Sequence, residues 1–131
     1  MSSPWWVLVV DDDADVNALI VEMLRDEGFP AHGMTQGRAA MAVLDSASPP
    51  GFIIADMTMP DIGGVDLVGR AARHGIQGVL ITAADPRHLA IGPPAPVMRK
   101  PFEVDELIRV VSLHRPPASP LPAPAEIRCI A

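Results

Sequence analysis

The feature that most constrains this chain is a set of short apolar runs that do not alternate. Residues 5–10, 52–55 and 78–81 are apolar at successive positions, and 97–98 is a shorter run of the same kind. A strand with one wet face alternates apolar and polar residues. A run without alternation belongs to a strand covered on both faces, as in parallel sheets. Between the runs the period becomes helical. Val16, Leu19, Ile20, Met23 and Leu24 recur at helix spacing before Gly28, with Asn17, Glu22, Arg25 and Asp26 on the polar side. Residues 37–44 read as a second helix with Ala40, Met41 and Leu44 inward. Residues 65–73 read as a third, with Leu67, Val68, Ala71 and Ala72 inward. Asp85-Pro86 opens a helix that Gly92-Pro93-Pro94 stops after about one and a half turns. Phe102, Leu107, Ile108 and Val111 pattern the last helix, and residues 29–34 are a weak strand that Pro30 and Gly33 place at a sheet edge.

Strand and helix thus alternate five times. The fold class is α/β: a flavodoxin-like, doubly wound (βα)5 unit with a shortened fourth helix. Right-handed crossovers favour a five-stranded parallel sheet in order 2-1-3-4-5. A chain of 131 residues holds one domain, expected over 1–114. The proline-dominated residues 115–131 are expected to be a disordered tail. The net charge of −6 and the lack of a basic face argue against nucleic acid. No run is long enough to span a membrane, the start lacks a basic signal region, and the single cysteine, Cys129, suits a reducing compartment. A cytoplasmic protein is expected.

The strand ends carry the chemistry. The first run ends in Asp11-Asp12-Asp13, the third strand in Asp56, the fourth in Thr82 and the fifth in Lys100. Singly, each has an ordinary explanation: Asp56 can open a turn, Thr82 can face the core, Lys100 can be a surface residue. Together they lie on neighbouring strands about 4.8 Å apart, on the one edge where open α/β sheets bind ligands. Three carboxylates that close repel one another unless a cation joins them, and oxygen donors with room for water suit Mg2+, with Mn2+ possible. Such a site suits phosphoryl transfer to an aspartate, in which Lys100 and the Thr82 hydroxyl neutralise the transferred oxygens.

These residues resemble the receiver domain of two-component response regulators, single-domain chemotaxis regulators being nearest in layout. Val9-Val10-Asp11-Asp12-Asp13 resembles the family's first acidic motif. The stretch from Asp56 through Met59-Pro60 to Gly64 resembles its phosphoacceptor motif, and Leu80-Ile81-Thr82-Ala83 and Lys100-Pro101-Phe102 resemble the other two. The resemblance implies that Asp56 accepts a phosphoryl group from a sensor histidine kinase or a histidine phosphotransfer protein. It implies Mg2+ on Asp12, Asp56 and the Thr58 backbone carbonyl, with Asp11 acting largely through water. It also implies a cis peptide before Pro101 that would aim Lys100 inward. A downstream protein would receive the signal, and the chain would not be a turnover enzyme on a separate substrate. Val97 stands where many members carry an aromatic switch residue, and the fourth helix is a stub. Residues 84–96 are therefore expected to be the softest part and the readout, and a monomer is expected. Rival readings are a receiver-like interaction module that is not phosphorylated and a Mg2+-dependent phosphatase. The latter would want a second acid close after Asp56, where Thr58 stands. A flavodoxin-type protein would want a phosphate loop after the first strand, which is missing.

Overall fold

The structure is a computed structural model that describes residues 5–83 and 96–116. Five strands form one sheet: β1 (Val7–Val10), β2 (Ala31–Met34), β3 (Phe52–Asp56), β4 (Gln77–Thr82) and β5 (Val97–Arg99). All pairings are parallel and the order is β2-β1-β3-β4-β5, as the alternating runs predict. The described helices are α1 (Ala14–Asp26), α2 (Gly37–Leu44), α3 (Gly64–Arg73) and α4 (Val104–His114). The short helix expected after Asp85 and the chain beyond Pro116 fall outside the described residues. Among the described residues no helix is long and apolar enough to cross a membrane.

The unbroken apolarity of the runs now has its physical reason. Successive strand residues point to opposite faces. Val7, Val9, Phe52, Ile54, Val79 and Ile81 face α1 and α4, joined by Ile20, Leu24, Leu107 and Val111. Leu8, Val10, Ile53, Ala55 and Leu80 face α2 and α3, joined by Ala40, Leu44, Leu67 and Ala71. All of β1 is fully buried. Burying each aliphatic side chain contributes about 1.5–3 kcal/mol, so a polar residue on either face of β1 would be costly. Trp5 and Trp6 enter at the opposite end of β1 and pack to opposite faces, Trp5 near Phe29 and Trp6 against His32. The sheet's amino-terminal edge is thus apolar and its carboxyl edge is left for polar groups.

The inward stripes of two helices differ from the sequence expectation. In α1 the buried residues are Asn17, Ile20, Val21 and Leu24, whereas Leu19 is 51% exposed. In α3, Ala72 is exposed. Asn17 belongs inside because its side-chain amide donates to three carbonyls: Met34 at 2.8 Å, Asp11 at 3.2 Å and Val9 at 3.3 Å. Those carbonyls lie at or just past the ends of β1 and β2. The amide therefore ties α1 to both strands. Gly33 is the matching concavity: a Cβ there would lie 1.9 Å from Asn17 Oδ1. Its being glycine thus has a reason beyond the edge position of β2.

Asn17→Ala should cost about 1–3 kcal/mol, because three carbonyls lose a donor and the amide's tie between α1 and the strands is cut. Gly33→Ala should also destabilise, by overlap with the Asn17 amide. The two losses should add to less than their sum, since Asn17→Ala vacates the space that Gly33→Ala needs. Urea unfolding of the two single variants and the double variant measures this. Strict additivity would mean that the amide and the glycine do not share that space.

Candidate functional site: an acidic cluster at the carboxyl edge of the sheet

Parallel register puts the strand ends level. Val10 pairs with Ala55, Asp56 with Ile81 and Thr82 with Arg99. The residues at or just past these ends are Asp11, Asp56, Thr82 and Lys100, from four strands that are consecutive neighbours. Asp11 is fully buried, Asp56 and Thr82 are buried and Asp12 is exposed. Asp11, Asp12 and Asp56 each offer a carboxylate oxygen within 4.8 Å of the others. Lys100 Nζ donates to Asp11 Oδ2 at 2.9 Å and lies 3.4 Å from Asp56 Oδ2. An ammonium group is thus already between two of the three carboxylates.

Local backbone chemistry fixes these groups. Asp13 caps α1, its Oδ1 accepting from the amides of Asp15 and Val16 at 3.0 and 3.2 Å. Asp11 Oδ1 accepts from the Asp13 amide at 2.9 Å. The three consecutive aspartates therefore divide their work: Asp13 starts the helix, Asp11 is buried in the cluster and Asp12 faces solvent. Asp56 Oδ1 accepts from the Thr58 amide at 3.0 Å, and the Met57 amide continues the β3–β4 pairing by donating to the Ile81 carbonyl. On β5, the Lys100 amide donates to the Thr82 carbonyl at 2.7 Å, which extends a three-residue strand by one bond. The Lys100–Pro101 peptide is cis. Thr58 is exposed, and Val97 is half-buried opposite Leu80 on the α2–α3 face. The segment expected to act as readout lies, up to residue 95, outside the described residues.

Burial pushes the Asp56 carboxyl above its ordinary 3.8. The Thr58 amide and Lys100 oppose that rise, and the charge of Asp11 adds to it. Burial pulls the Lys100 ammonium down, but its hydrogen bond to Asp11 and the charges of Asp56 and Asp11 outweigh this, and its pKa lies above 10.5. The donor set is all oxygen, which suits a hard divalent cation such as Mg2+ more than a softer metal. Among the described residues, the Asp13 amide and Lys100 donate to the two Asp11 oxygens, and the Thr58 amide and Lys100 to the two Asp56 oxygens. Each carboxylate oxygen has two lone pairs, so acceptor capacity remains for a cation.

Two residues at this edge escape sequence reasoning. Asn17 is one. The other is Asp61, in the loop after β3, whose Oδ1 accepts from the Gly37 amide at 3.2 Å and whose Oδ2 accepts from the Arg38 amide at 2.9 Å. Bonds from the amides of Arg38, Ile62 and Gly37 hold its carboxyl below the usual range. The only trace in the sequence is that Gln36, ahead of α2, is a poor cap, so an acceptor must come from elsewhere. Gly64 is also constrained: a Cβ there would lie 2.3 Å from the Asp56 carbonyl oxygen.

Comparison with known proteins agrees with this fold. The family described as "Response regulator receiver domain" matches residues 7–112. Sensory transduction protein RegX3 of Mycobacterium tuberculosis is 32% identical over 80 residues, 60% of this chain and 35% of that protein. Transcriptional regulatory protein PdtaR of the same species is 29% identical over 116 residues, covering 84% of this chain and 56% of PdtaR. The chain therefore spans between about a third and a little over half of these relatives. Response regulator protein TrrA from Thermotoga maritima, solved in complex with Mg2+-BeF, superposes with a TM-score of 0.75 at 27% identity. That match covers 86% of this chain and all of the TrrA chain.

The raised Asp56 pKa has a sign that can be checked. Between 3.8 and its folded value the native state binds more protons at Asp56 than the unfolded state does. Asp56 therefore subtracts stability as pH rises through that window, and the loss persists above it. Without divalent metal, Asp56→Asn should be more stable than the parent at neutral pH. The advantage should shrink as pH falls towards 3.8. Thermal melts across this range measure it; an asparagine variant less stable at neutral pH would reverse the sign.

Proposed function

Because this chain belongs to the response regulator receiver domain family of two-component systems, as the match over residues 7–112 shows, we propose that Asp56 is its phosphoacceptor, phosphorylated with the help of Mg2+. The donor is a phosphohistidine on a sensor histidine kinase or a histidine phosphotransfer protein. The observation that supports this most is the convergence of Asp11, Asp56 and Lys100 from three separate strands, with Asp12 close by. Asp11, Asp12 and Asp56 would hold Mg2+ together with the Thr58 carbonyl. When bound, the ion supplies charge neutralisation for the phosphoryl oxygens.

The remaining chemistry falls to the chain's own groups. An Asp56 carboxylate oxygen attacks phosphorus; the P–O bond forms as the P–N bond breaks, and the electron pair leaves with the donor imidazole. Burial keeps water from solvating the carboxylate fully, and the Thr58 amide orients one of its oxygens. Lys100, which binds Asp11 and Asp56 before transfer, turns to the phosphoryl oxygens as charge develops there. The Thr82 hydroxyl adds a further donor. Asp61 and Asp66 are unsuited as acceptors: Asp61 is committed to two amides of α2, and Asp66 is exposed on α3. This chemistry modifies the chain itself, so no separate substrate is turned over, and the signal passes to a partner protein. A second reading, a receiver-like interaction module without phosphorylation, draws on the same lysine. Its ammonium already relieves two of the carboxylates and could make the cluster purely structural.

Intact-mass measurement after treatment with Mg2+ and a small phosphodonor separates the two readings. One added phosphoryl group is expected, and none in Asp56→Asn. Lys100→Ala should still bind Mg2+ yet lose phosphorylation or its consequences. Mg2+ should raise the melting temperature by mass action, and that gain should vanish in Asp12→Ala. No added mass on the unmodified chain would favour the interaction module.

A further inference from the structure

α2 starts without a cap of its own. Gln36 occupies the N-cap position and makes no side-chain capping hydrogen bond. The first amides of a helix have no partner within it and need an acceptor. Here the acceptor comes from a different element, because Asp61 sits in the loop that begins at the proposed phosphoacceptor. Each of its two oxygens takes one amide of α2, Gly37 at 3.2 Å and Arg38 at 2.9 Å. Shape closes the same contact. A Cβ on Gly37 would lie 2.6 Å from the Ile62 carbonyl oxygen and 2.8 Å from the Ile62 side chain. The loop and the start of α2 are therefore in direct contact, and only glycine allows it.

The rest of that loop is held at its two ends. At its start, the Met57 amide is bound to the Ile81 carbonyl and the Thr58 amide to Asp56 Oδ1. At its finish, Gly64 lies against the Asp56 carbonyl. Between them, Asp61 supplies the side-chain bonds from the loop to another element. A helix cap alone could come from residue 36. A carboxylate reaching across from the loop fixes loop and helix at once.

We propose that Asp61 is a positioning residue for the acceptor site, holding the 57–63 loop so that Thr58 meets Asp56 and the cation in the geometry phosphorylation needs. The proposal rests on the reading of Asp56 as phosphoacceptor. It assigns Asp61 a role beyond capping α2, and the two roles can be separated because a cap can be restored without the tether.

The experiment compares the full chain with Asp61→Ala, with Asp61→Ala plus Gln36→Asp, and with Val111→Ala as a destabilised control remote from the site. Three quantities are read: melting temperature without metal, Mg2+ affinity by calorimetric titration well below melting, and the rate of phosphoryl uptake from a small phosphodonor. Asp61→Ala should lower all three, with Mg2+ affinity falling about ten-fold, as for other residues that orient metal ligands. Gln36→Asp should return the melting temperature and leave affinity and rate low. Val111→Ala should lower the melting temperature alone. Recovery of affinity and rate with Gln36→Asp would reduce Asp61 to a cap and overturn the proposal. So would equal affinity losses in Asp61→Ala and Val111→Ala, or an Asp61→Ala chain that binds Mg2+ and takes up phosphoryl normally. A parent chain that binds Mg2+ but takes up no phosphoryl group would instead overturn the reading of Asp56.

Discussion

The contact on which this structure depends most is the one between the Lys100 ammonium and the carboxylates of Asp11 and Asp56. Asp11 is fully buried. An ionised carboxylate in that position is tolerated only with a partner, and removing one side of such a pair typically costs about 3–5 kcal/mol. Lys100 keeps 24% of its side chain exposed, so solvent screening reduces that figure here. The ammonium arrives from β5, which has only three residues and lies at the sheet edge. Its placement is secured by the Lys100 amide on the Thr82 carbonyl, one bond beyond the strand. Three strands therefore converge on one charge, and the fourth holds it in place.

That arrangement explains how a buried acidic cluster coexists with a stable sheet. The apolar faces of β1, β3 and β4 supply the folding free energy and leave the carboxyl edge free to be poorly solvated. Burial raises the pKa of Asp56, which is a destabilising tendency, and Lys100 and the Thr58 amide limit it. A divalent cation at the cluster would relieve the same repulsion more completely. The ammonium and a cation would thus be alternative answers to one electrostatic problem, and a bound cation would leave the lysine available for other oxygens.

The parts of this architecture that repeat along the chain were legible in its sequence. Unbroken apolar runs gave strands buried on two faces, and their spacing gave the helices and the strand order. Asp11, Asp56, Thr82 and Lys100 were legible as neighbours because parallel strands put their ends on one edge. Asn17 and Asp61 were not. A helical period marks Asn17 as polar and so assigns it to the wet side, yet the helix stripe runs through 17, 20, 21 and 24. Only the three carbonyls beneath it make an amide preferable there, and they belong to residues 9, 11 and 34. Asp61 follows Met59-Pro60 and reads as a turn residue; its partners are 23 and 24 positions earlier. Leu19 and Ala72 failed in the opposite sense, because an apolar residue beside a buried stripe need not be in it.

These two polar residues solve the same problem from opposite sides. A parallel sheet ends in carbonyls that run out of strand amides to donate to them, and a helix begins with amides that have no acceptor within it. At the carboxyl edge both kinds of group occur next to the acidic cluster: the Asp11 carbonyl after β1, and the Gly37 and Arg38 amides bound by the loop after β3. Water could satisfy them, but water there would loosen the turns that carry Asp11, Asp12 and Asp56. Asn17, a donor, takes the strand carbonyls; Asp61, an acceptor, takes the helix amides. Each is matched by a glycine, Gly33 and Gly37, that lets the partner backbone come close enough. Neither side chain belongs to the acidic cluster itself; each ties down backbone next to it, Asn17 at the Asp11 carbonyl and Asp61 in the loop after Asp56. The chemistry of such a site is therefore set by two layers. One, made of carboxylates and a lysine, can be read from strand ends. The other can be found only by asking where each backbone donor and acceptor at the edge finds its partner.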